Sequence, residues 1–341
     1  MYEAPDIDPG AIADALSRDY GLAASAVTYL ALGHDSAAWA YRAETGDGAV
    51  YFVKLRRLPL DAAVALVPRM LDRRGATGIL APVPTRDGAP YATIGEYGVV
   101  VQPFVGGHTG MEQPLTKEQW VAFGAAARRI HDTALDAPVV ETVPRETFRP
   151  KWDGVIRAWA DARDLDERIA SERPADEIGA ATQQLWRRNR DEIRAVVDRA
   201  EALGTVALAT RGERVVCHAD LHTGNVIIDA RGGLRIVDWD EVVIAPRERD
   251  LMFVVGGGIS RDLVPPEAEH AFLAGYGAVD VDRTALGYYK HAWAVQDIAG
   301  YGGVAFARGD LAFGTRREAL RILRTLFAPG EIVELAGATL V

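Results

Sequence analysis

The chain has 341 residues, a formal net charge of −10 at pH 7 and a single cysteine. Because one hydrophobic core rarely grows beyond about 250–300 residues, the length predicts two lobes. Apolar residues make up 49% of the chain and charged residues 25%, which excludes disorder as the main state. One cysteine excludes an internal disulfide framework and a cysteine-rich zinc site, and is typical of a reducing compartment.

The charge and the hydropathy pattern also exclude several kinds of partner. Residues 1–21 contain neither the basic segment nor the apolar stretch of a signal peptide, and no apolar run is long enough to cross a membrane. We therefore expect a cytoplasmic protein without a membrane partner. An acidic balance disfavours nucleic acid as a partner and suits a small cationic ligand, although many cytoplasmic proteins are acidic merely to stay soluble.

The first hundred residues predict one helix followed by strands and one embedded helix. Apolar spacing predicts the first helix over 9–20, and the turn Gly46-Asp47-Gly48 is typical of a hairpin. The predicted strands are 27–32, 39–44, 50–56, 91–94 and 99–104. A helix is predicted over 61–73, where Pro68 is an unfavourable residue.

After a short connector at 102–107 the pattern becomes helical. Thr116 with Gln119 three residues later matches a capping box, which predicts a helix running through 120–132. Further helices are predicted at 151–163, 176–203, 265–275, 284–300 and 315–327. The sequence thus predicts an α+β fold with two lobes, a β-rich domain of residues 1–103 and a mostly helical domain of residues 104–341.

The helical part contains one β-patterned segment at 215–238, which carries the candidate chemistry. A short apolar strand leads into the polar loop 218–225, and a hairpin of 226–228 and 234–237 follows. Asp238 stands where the second strand ends, so the hairpin returns it to the neighbourhood of Asp220 and Asn225. Two carboxylates and one amide oxygen are therefore predicted to converge at the end of a rigid element.

This set of oxygen atoms suits phosphoryl transfer. That reaction needs a carboxylate to orient the acceptor hydroxyl and take its proton, and oxygen ligands for Mg²⁺. His218, Asp220 and Asn225 have the His-x-Asp-x₄-Asn spacing of the protein-kinase catalytic loop, and Asp238 stands where the kinase metal-binding aspartate would. The alternative, an ordinary aspartate-rich loop, is disfavoured because spacing, order and strand context all agree.

A kinase-like site also needs a lysine on an N-terminal strand to contact phosphates. Lys54 is the candidate, because it lies on an alternating strand between a polar turn and a helix. A lone lysine on a strand is more often merely solvent-facing. The turn at 32–39 lacks the repeated glycines of protein kinases; its backbone and the Ser36 hydroxyl would cover a phosphate, with a plain β-turn as the alternative.

Residues well beyond the catalytic loop carry a resemblance to a known family. They are YFVKL at 51–55, LTKEQW at 115–120, RRIHDT at 128–133, PKW at 150–152, CHADLHTGNVII at 217–228, IVDWDE at 236–241, APRERDLMFVVGGG at 245–258, YGAVDVDRTALGYYKH at 276–291, QDIAGYG at 296–302 and FAPGEIVELAGAT at 327–339. On these segments the chain resembles the aminoglycoside phosphotransferase family, which has a bilobal protein-kinase-like fold. The blocks APRERDLMF and YYKH point to its spectinomycin 9-O-phosphotransferase branch.

The resemblance implies a role for each matching residue. Asp220 would be the catalytic base or hydroxyl-orienting carboxylate, and Asn225 and Asp238 would bind Mg²⁺. The residues implied at ATP are Lys54 for the α- and β-phosphates, and the backbone of Gln102, Pro103 and Phe104 for the adenine.

One ion pair of the protein-kinase pattern has no obvious counterpart. Protein kinases pair the nucleotide lysine with a glutamate on the following helix, but no glutamate occurs between Lys54 and Glu96. Asp61 is the nearest acidic candidate, with Asp72 behind it.

Two departures from the protein-kinase pattern favour a small alcohol over a peptide as acceptor. Ala219 replaces the arginine of His-Arg-Asp, and residues 239–249 leave no room for an activation loop. Acids after Asp238 would suit the ammonium groups of an aminocyclitol; the candidates are Asp240, Glu241, Asp250 and, on a later helix, Asp297. Structural pairing at 248–250 and a purely structural helix around Asp297 are the alternatives.

The sequence therefore predicts an ATP- and Mg²⁺-dependent phosphotransferase of a small cationic alcohol, with spectinomycin or a related aminocyclitol or aminoglycoside antibiotic as the leading substrate. A kinase of a choline-like or methylthioribose-like alcohol keeps the chemistry and changes the substrate. A nucleotide-binding regulatory pseudokinase and a substrate-sequestering protein are alternatives of another class. Antibiotic resistance, self-protection of a producer and metabolism stay open as roles, as do monomer and dimer as assemblies.

Overall fold

The computed structural model describes residues 5–31, 38–148, 155–210, 212–307 and 311–339, without the side chains of 155–160. It divides into two compact units, neither of them continuous in sequence. The sheet unit consists of Met1–Leu115, Ala125–Pro144 and His218–Ile244, and the helical unit of Thr116–Gly124, Arg145–Cys217 and Ala245–Val341. The contacts thus group the hairpin of residues 226–237 with the N-terminal sheet; we call it the catalytic hairpin because it follows the predicted catalytic loop. A lobe boundary at residue 103 stays a prediction.

The sheet unit opens with the helix expected at 9–20. Helix α1, Pro9–Ala15, begins after Asp8, whose carboxylate accepts the N–H of Gly10 at 2.9 Å. It continues as a π-helical turn, Leu16–Tyr20, and ends at Gly21, whose φ of 73° is the left-handed conformation that glycine adopts without strain.

A five-stranded antiparallel sheet follows, with strand order β1-β2-β3-β5-β4. Its strands are β1 Ala24–Leu30, β2 Ala38–Thr45, β3 Val50–Arg57, β4 Ala92–Ile94 and β5 Tyr97–Pro103, which confirms the five expected in this region. Val53 and Leu55 of β3 are fully buried. Because side chains alternate along a strand, Lys54 and Arg56 lie on the opposite face of this central strand.

Helix α2, Ala63–Arg73, lies between β3 and β4 in sequence and contains Pro68 without being interrupted. Arg69, the next residue, donates to the carbonyls of Pro82, Val83 and Pro90 at 3.1, 2.6 and 3.1 Å. These charge-assisted bonds hold α2 against the segment that leads into β4.

A three-stranded sheet of order β6-β8-β9 carries the catalytic hairpin. The remaining strands in chain order are β6 Gly107–Thr109, β7 Val215–Cys217, β8 Val226–Asp229, β9 Leu234–Ile236 and β10 Val243–Ala245. Sequence patterning did not predict β6. A Cβ at Gly107 would lie 2.0 Å from the carbonyl oxygen of Ile228, so the pairing of β6 with β8 requires glycine there.

Most of the helical segments follow the predicted pattern. They are α3 Lys117–Asp132, α4 Ala137–Val140, α5 Val155–Ser171, α6 Glu177–Arg188, α7 Arg190–Ala209, α8 Glu248–Leu251, α9 Pro266–Tyr276, α10 Arg283–Phe306, α11 Phe313–Thr325 and α12 Ile332–Ala338. The expected capping box is present: Thr116 N–H donates to Gln119 Oε1 at 2.8 Å, and Gln119 N–H to Thr116 Oγ1 at 3.3 Å. The single helix expected at 176–203 is two helices that meet at Asn189, and α5 continues to Ser171 beyond the expected end at 163. Helices α4 and α12 were not predicted.

The long helix α10 is the centre of the helical unit and packs against α5, α7, α11 and α12. It also holds a fully buried cation, since Lys290 is 0% exposed. Lys290 Nζ donates to the carbonyl of Gly256 at 3.0 Å, and burial lowers the pKa of Lys290 to about 8. Within the described residues, none of the helices combines the length and apolar character of a membrane span.

The depressed pKa of Lys290 predicts a pH dependence of folding. The unfolded chain holds this proton up to its ordinary pKa of 10.5 and the folded chain only to about 8, so unfolding takes up a proton between these values. Raising the pH through this window therefore favours the folded form. We expect the unfolding free energy of the wild type to rise relative to that of Lys290→Met by about 1–2 kcal/mol between pH 8 and 9.5.

Urea denaturation of both proteins at several pH values measures this difference. Groups other than Lys290 titrate in both proteins, so they cancel. A difference that stays constant between pH 7.5 and 9.5 would contradict a lowered pKa for this lysine.

Candidate active site

The loop between β7 and β8 holds Asp220 and Asn225 side by side. It closes with a 3₁₀ turn, Thr223–Asn225. Asn225 Nδ2 donates to Asp220 Oδ2 and to the Asp220 carbonyl, both at 2.8 Å. Because the amide nitrogen makes both bonds, the amide oxygen of Asn225 is left to accept a donor or a metal ion.

Backbone hydrogen bonds bring the end of β9 to the same place. Val237 N–H donates to the carbonyl of Asn225 at 3.0 Å. His218, which is fully buried, donates from Nε2 to the carbonyl of Val237 at 2.9 Å. Asp238 follows directly, so the predicted convergence of Asp220, Asn225 and Asp238 has a backbone explanation.

Two residues with side chains take the left-handed backbone conformation here. Ala219 has φ 68° and Asp238 has φ 65°, a conformation that costs roughly 1–2 kcal/mol for a residue with a Cβ. Ala219 directly precedes Asp220, the predicted base, and Asp238 is itself a predicted metal ligand. Strain of this kind concentrates at functional sites, where the surrounding contacts maintain it.

Lys54 of β3 makes two ion pairs with this end of the hairpin. Its Nζ lies 2.7 Å from Asp238 Oδ1 and 2.7 Å from Asp240 Oδ2, and Arg56 also pairs with Asp240. Burial alone would lower the pKa of Lys54, but the two carboxylates more than offset it and the pKa is raised. Burial likewise opposes ionisation of Asp238, yet Lys54 and its hydrogen bond hold the Asp238 pKa below the usual value.

The pairing of Lys54 differs from the expectation of an acid near α2. Asp61 is exposed just before α2, and Asp72 is exposed in its last turn. Among the described residues, the ion pairs of Lys54 are with Asp238 and Asp240. Asp240, predicted for the substrate, thus contacts the two cations of β3; a contact with substrate stays a prediction.

The residues predicted for the adenine lie at the end of β5. Gln102 Nε2 donates to the carbonyl of Leu80 at 3.3 Å, and Pro103 is the last residue of the strand. Phe104 N–H donates to the carbonyl of Val50 at 2.9 Å, while its ring is exposed. Ser36 and the rest of the turn at 32–37 lie outside the described residues.

The other predicted substrate acids differ in exposure. Glu241 is exposed and belongs to the sheet unit, whereas Asp297 is half-buried on α10 of the helical unit. Asp250 on α8 is 1% exposed. Nearby Glu248 is also buried and accepts the backbone N–H of Asp282 at 3.0 Å, which is the structural role considered as the alternative for residues 248–250.

His222, to which the sequence motifs assign no role, faces Asp220. Its Nδ1 accepts the N–H of Gly224 at 3.0 Å, so Nε2 carries the proton of the neutral ring. This Nε2 lies 3.4 Å from Asp220 Oδ1, a buried oxygen with no hydrogen-bond partner among the described residues. Burial lowers the pKa of His222 despite the neighbouring carboxylate. The signal in the sequence that could have identified His222 is its position two residues after Asp220.

The donor atoms at this site fit Mg²⁺. Asp238 offers a carboxylate and Asn225 an amide oxygen, and Mg²⁺ binds such hard oxygen ligands while keeping several waters. Asn225 is held in place by its two bonds to Asp220.

Comparison with known proteins identifies the family of the chain. The model of the family described as "phosphotransferase enzyme family" matches residues 28–289. Spectinomycin phosphotransferase APH(9)-Ia, in its complex with ADP and spectinomycin, is 29% identical with a TM-score of 0.85, covering 98% of this chain and 99% of that one. Its AMP-bound complex gives a TM-score of 0.80 with the same identity and coverage.

A curated relative is more distant. Protein StrN of Streptomyces griseus is 28% identical over 232 residues, which is 65% of this chain and 67% of the relative. These similarities confirm the kinase-like fold and the phosphotransferase class expected from the sequence. The span matched by the family model contains Lys54, Asp220 and Asp238 and covers more than half of the chain, which is therefore a member of the phosphotransferase enzyme family.

Proposed function

We propose that this chain transfers the γ-phosphoryl group of ATP to a hydroxyl of a small cationic acceptor, with spectinomycin or a related aminocyclitol antibiotic as the substrate. The observation that carries the proposal is similarity over 98% of the chain to a spectinomycin phosphotransferase solved with ADP and spectinomycin. An antibiotic-modifying role in the cytoplasm would follow from that activity and from the single cysteine.

Asp220 would orient the acceptor. Its Oδ2 is held by Asn225 at 2.8 Å, and its Oδ1, 3.4 Å from His222 Nε2, is buried and makes no hydrogen bond among the described residues. In the reaction the acceptor oxygen bonds to the γ-phosphorus, the bond from that phosphorus to the β,γ-bridging oxygen breaks, and ADP leaves. The hydroxyl proton goes to Asp220. Catalysis of this kind is mostly positioning and electrostatic stabilisation.

Lys54 would contact the α- and β-phosphates from the polar face of β3, and the backbone of Gln102, Pro103 and Phe104 would hold the adenine. Mg²⁺ bound by Asn225 and Asp238 would neutralise charge on the phosphates. The ion pair of Lys54 with Asp238 at 2.7 Å supports this assignment, because it holds the lysine beside a proposed metal ligand before any nucleotide binds.

The base assignment predicts a loss of chemistry without a loss of nucleotide binding. Asp220→Asn keeps the shape of the side chain but cannot take the hydroxyl proton, so we expect kcat to fall by roughly 10²–10⁴-fold. Binding of ADP with Mg²⁺ should stay within a few-fold of wild type. A coupled ADP-release assay measures the first quantity and titration calorimetry the second.

Asp47→Asn is the matched control, because Asp47 lies at the β2–β3 turn, where its carboxylate accepts the N–H of Ala49 at 3.2 Å. This control should keep wild-type kcat. Full activity of Asp220→Asn with any acceptor would show that Asp220 is not the base.

The substrate assignment predicts which alcohol is phosphorylated. Spectinomycin should give ATP-dependent ADP release and a product that has gained one phosphoryl group by mass spectrometry, while choline and methylthioribose should not. Asp220→Asn provides the background rate. Turnover of choline or methylthioribose without turnover of any aminocyclitol would show that the acceptor is a metabolic alcohol and not an antibiotic. ADP binding without turnover of any alcohol would favour the regulatory pseudokinase.

A further inference from the structure

We propose that Asp240 is the positioning residue of the nucleotide lysine, in place of a glutamate on the helix that follows the lysine strand. This inference rests on the proposed function, because it concerns how Lys54 is held for the phosphates of ATP. It also gives Asp240 a role different from the recognition of a cationic acceptor.

The contacts of Asp240 are with the two cations of β3. Its Oδ2 lies 2.7 Å from Lys54 Nζ, and it also pairs with Arg56. The Asp240 side chain is 15% exposed, against 41% for Asp238. A carboxylate with so little exposure requires compensating charge, and Lys54 and Arg56 supply it.

In protein kinases the helix after the lysine strand carries the paired glutamate. The corresponding helix here, α2, has no acidic residue in a suitable place. Helix α2 contains one acidic residue, Asp72, which is exposed in its last turn. Asp61, before the helix, is exposed as well. Among the described residues, the carboxylates within ion-pair distance of Lys54 both come from the end of the catalytic hairpin.

The two carboxylates at Lys54 have different tasks in this proposal, metal binding for Asp238 and orientation of the lysine for Asp240. Asp238 is a proposed Mg²⁺ ligand, so a lysine paired with Asp238 alone would lose its partner when the metal is bound. Asp240 is not needed for the metal and continues to orient Lys54. Trp239, which stands between the two acids in sequence, is buried, and its ring centroid lies 4.6 Å from that of His218.

The same contacts reduce any attraction of Asp240 for a cationic acceptor. Its charge is already offset by Lys54 and Arg56, and an acceptor ammonium would have to compete with both. The two roles therefore predict different kinetics: a positioning residue of Lys54 affects nucleotide binding, and an acid in the acceptor pocket affects the acceptor.

The test uses Asp240→Asn, which preserves shape and removes the charge. We expect the affinity for ADP with Mg²⁺ to fall roughly tenfold or more by calorimetry, the KM for ATP to rise similarly, and the KM for spectinomycin to stay within a few-fold of wild type. In a Lys54→Met background, Asp240→Asn should cause little further loss of ADP affinity, because the two residues act together. Asp61→Asn is the control and should keep wild-type ADP affinity.

Thermal unfolding of each ligand-free variant checks that it folds. If Asp240→Asn does not fold, Asp240→Glu carries the test, with a few-fold loss of ADP affinity and an unchanged KM for the acceptor expected. A rise in the acceptor KM alone, or a loss of ADP affinity in Asp61→Asn instead, would overturn the role of Asp240 and leave the proposed function standing. If the wild type bound no ADP and consumed no ATP, the proposed function would fail and this role with it.

Discussion

Within the sheet unit, the position of the catalytic hairpin relative to β3 is linked to one requirement, that carboxylates compensate the charge of Lys54. Lys54 stands in the middle strand of the five-stranded sheet, opposite Ala40 and Val100 of the neighbouring strands, and is 20% exposed on its side chain. A cation in such a position is costly unless an anion accompanies it. Asp238 and Asp240 provide two, so one electrostatic requirement ties β3 to the end of the catalytic hairpin and brings the proposed phosphate contact beside a proposed metal ligand.

The catalytic loop stores strain that its hydrogen bonds offset. Ala219 and Asp238 both take left-handed backbone conformations, and the bonds from His218 to Val237 and from Val237 to Asn225 run between them. The bonds that bring Asp238 next to Asn225 therefore also maintain the two strained backbone conformations.

Local patterns in the sequence predicted most of the fold and the loop that holds Asp220 and Asn225 together. Alternation predicted the five strands, Thr116 with Gln119 predicted the start of α3, and the spacing from His218 to Asn225 predicted the loop. Strand β6 was not predicted because it has only three residues and depends on the close approach of Gly107 to Ile228. The pairing of Lys54 with Asp238 and Asp240 was not predicted because these residues lie far along the chain. Neither propensity nor periodicity encodes pairing at such a separation.

The count of acids after Asp238 overstates the negative charge available to an acceptor. Asp240 is compensated by Lys54 and Arg56, Asp250 is buried, and Asp238 is proposed for the metal. A net charge of −10 therefore says little about attraction at the site itself, because part of that charge is compensated within the fold. Selectivity for the proposed aminocyclitol would accordingly come from the geometry of a few hydrogen bonds and from shape, because a wrong alcohol leaves polar groups unpaired.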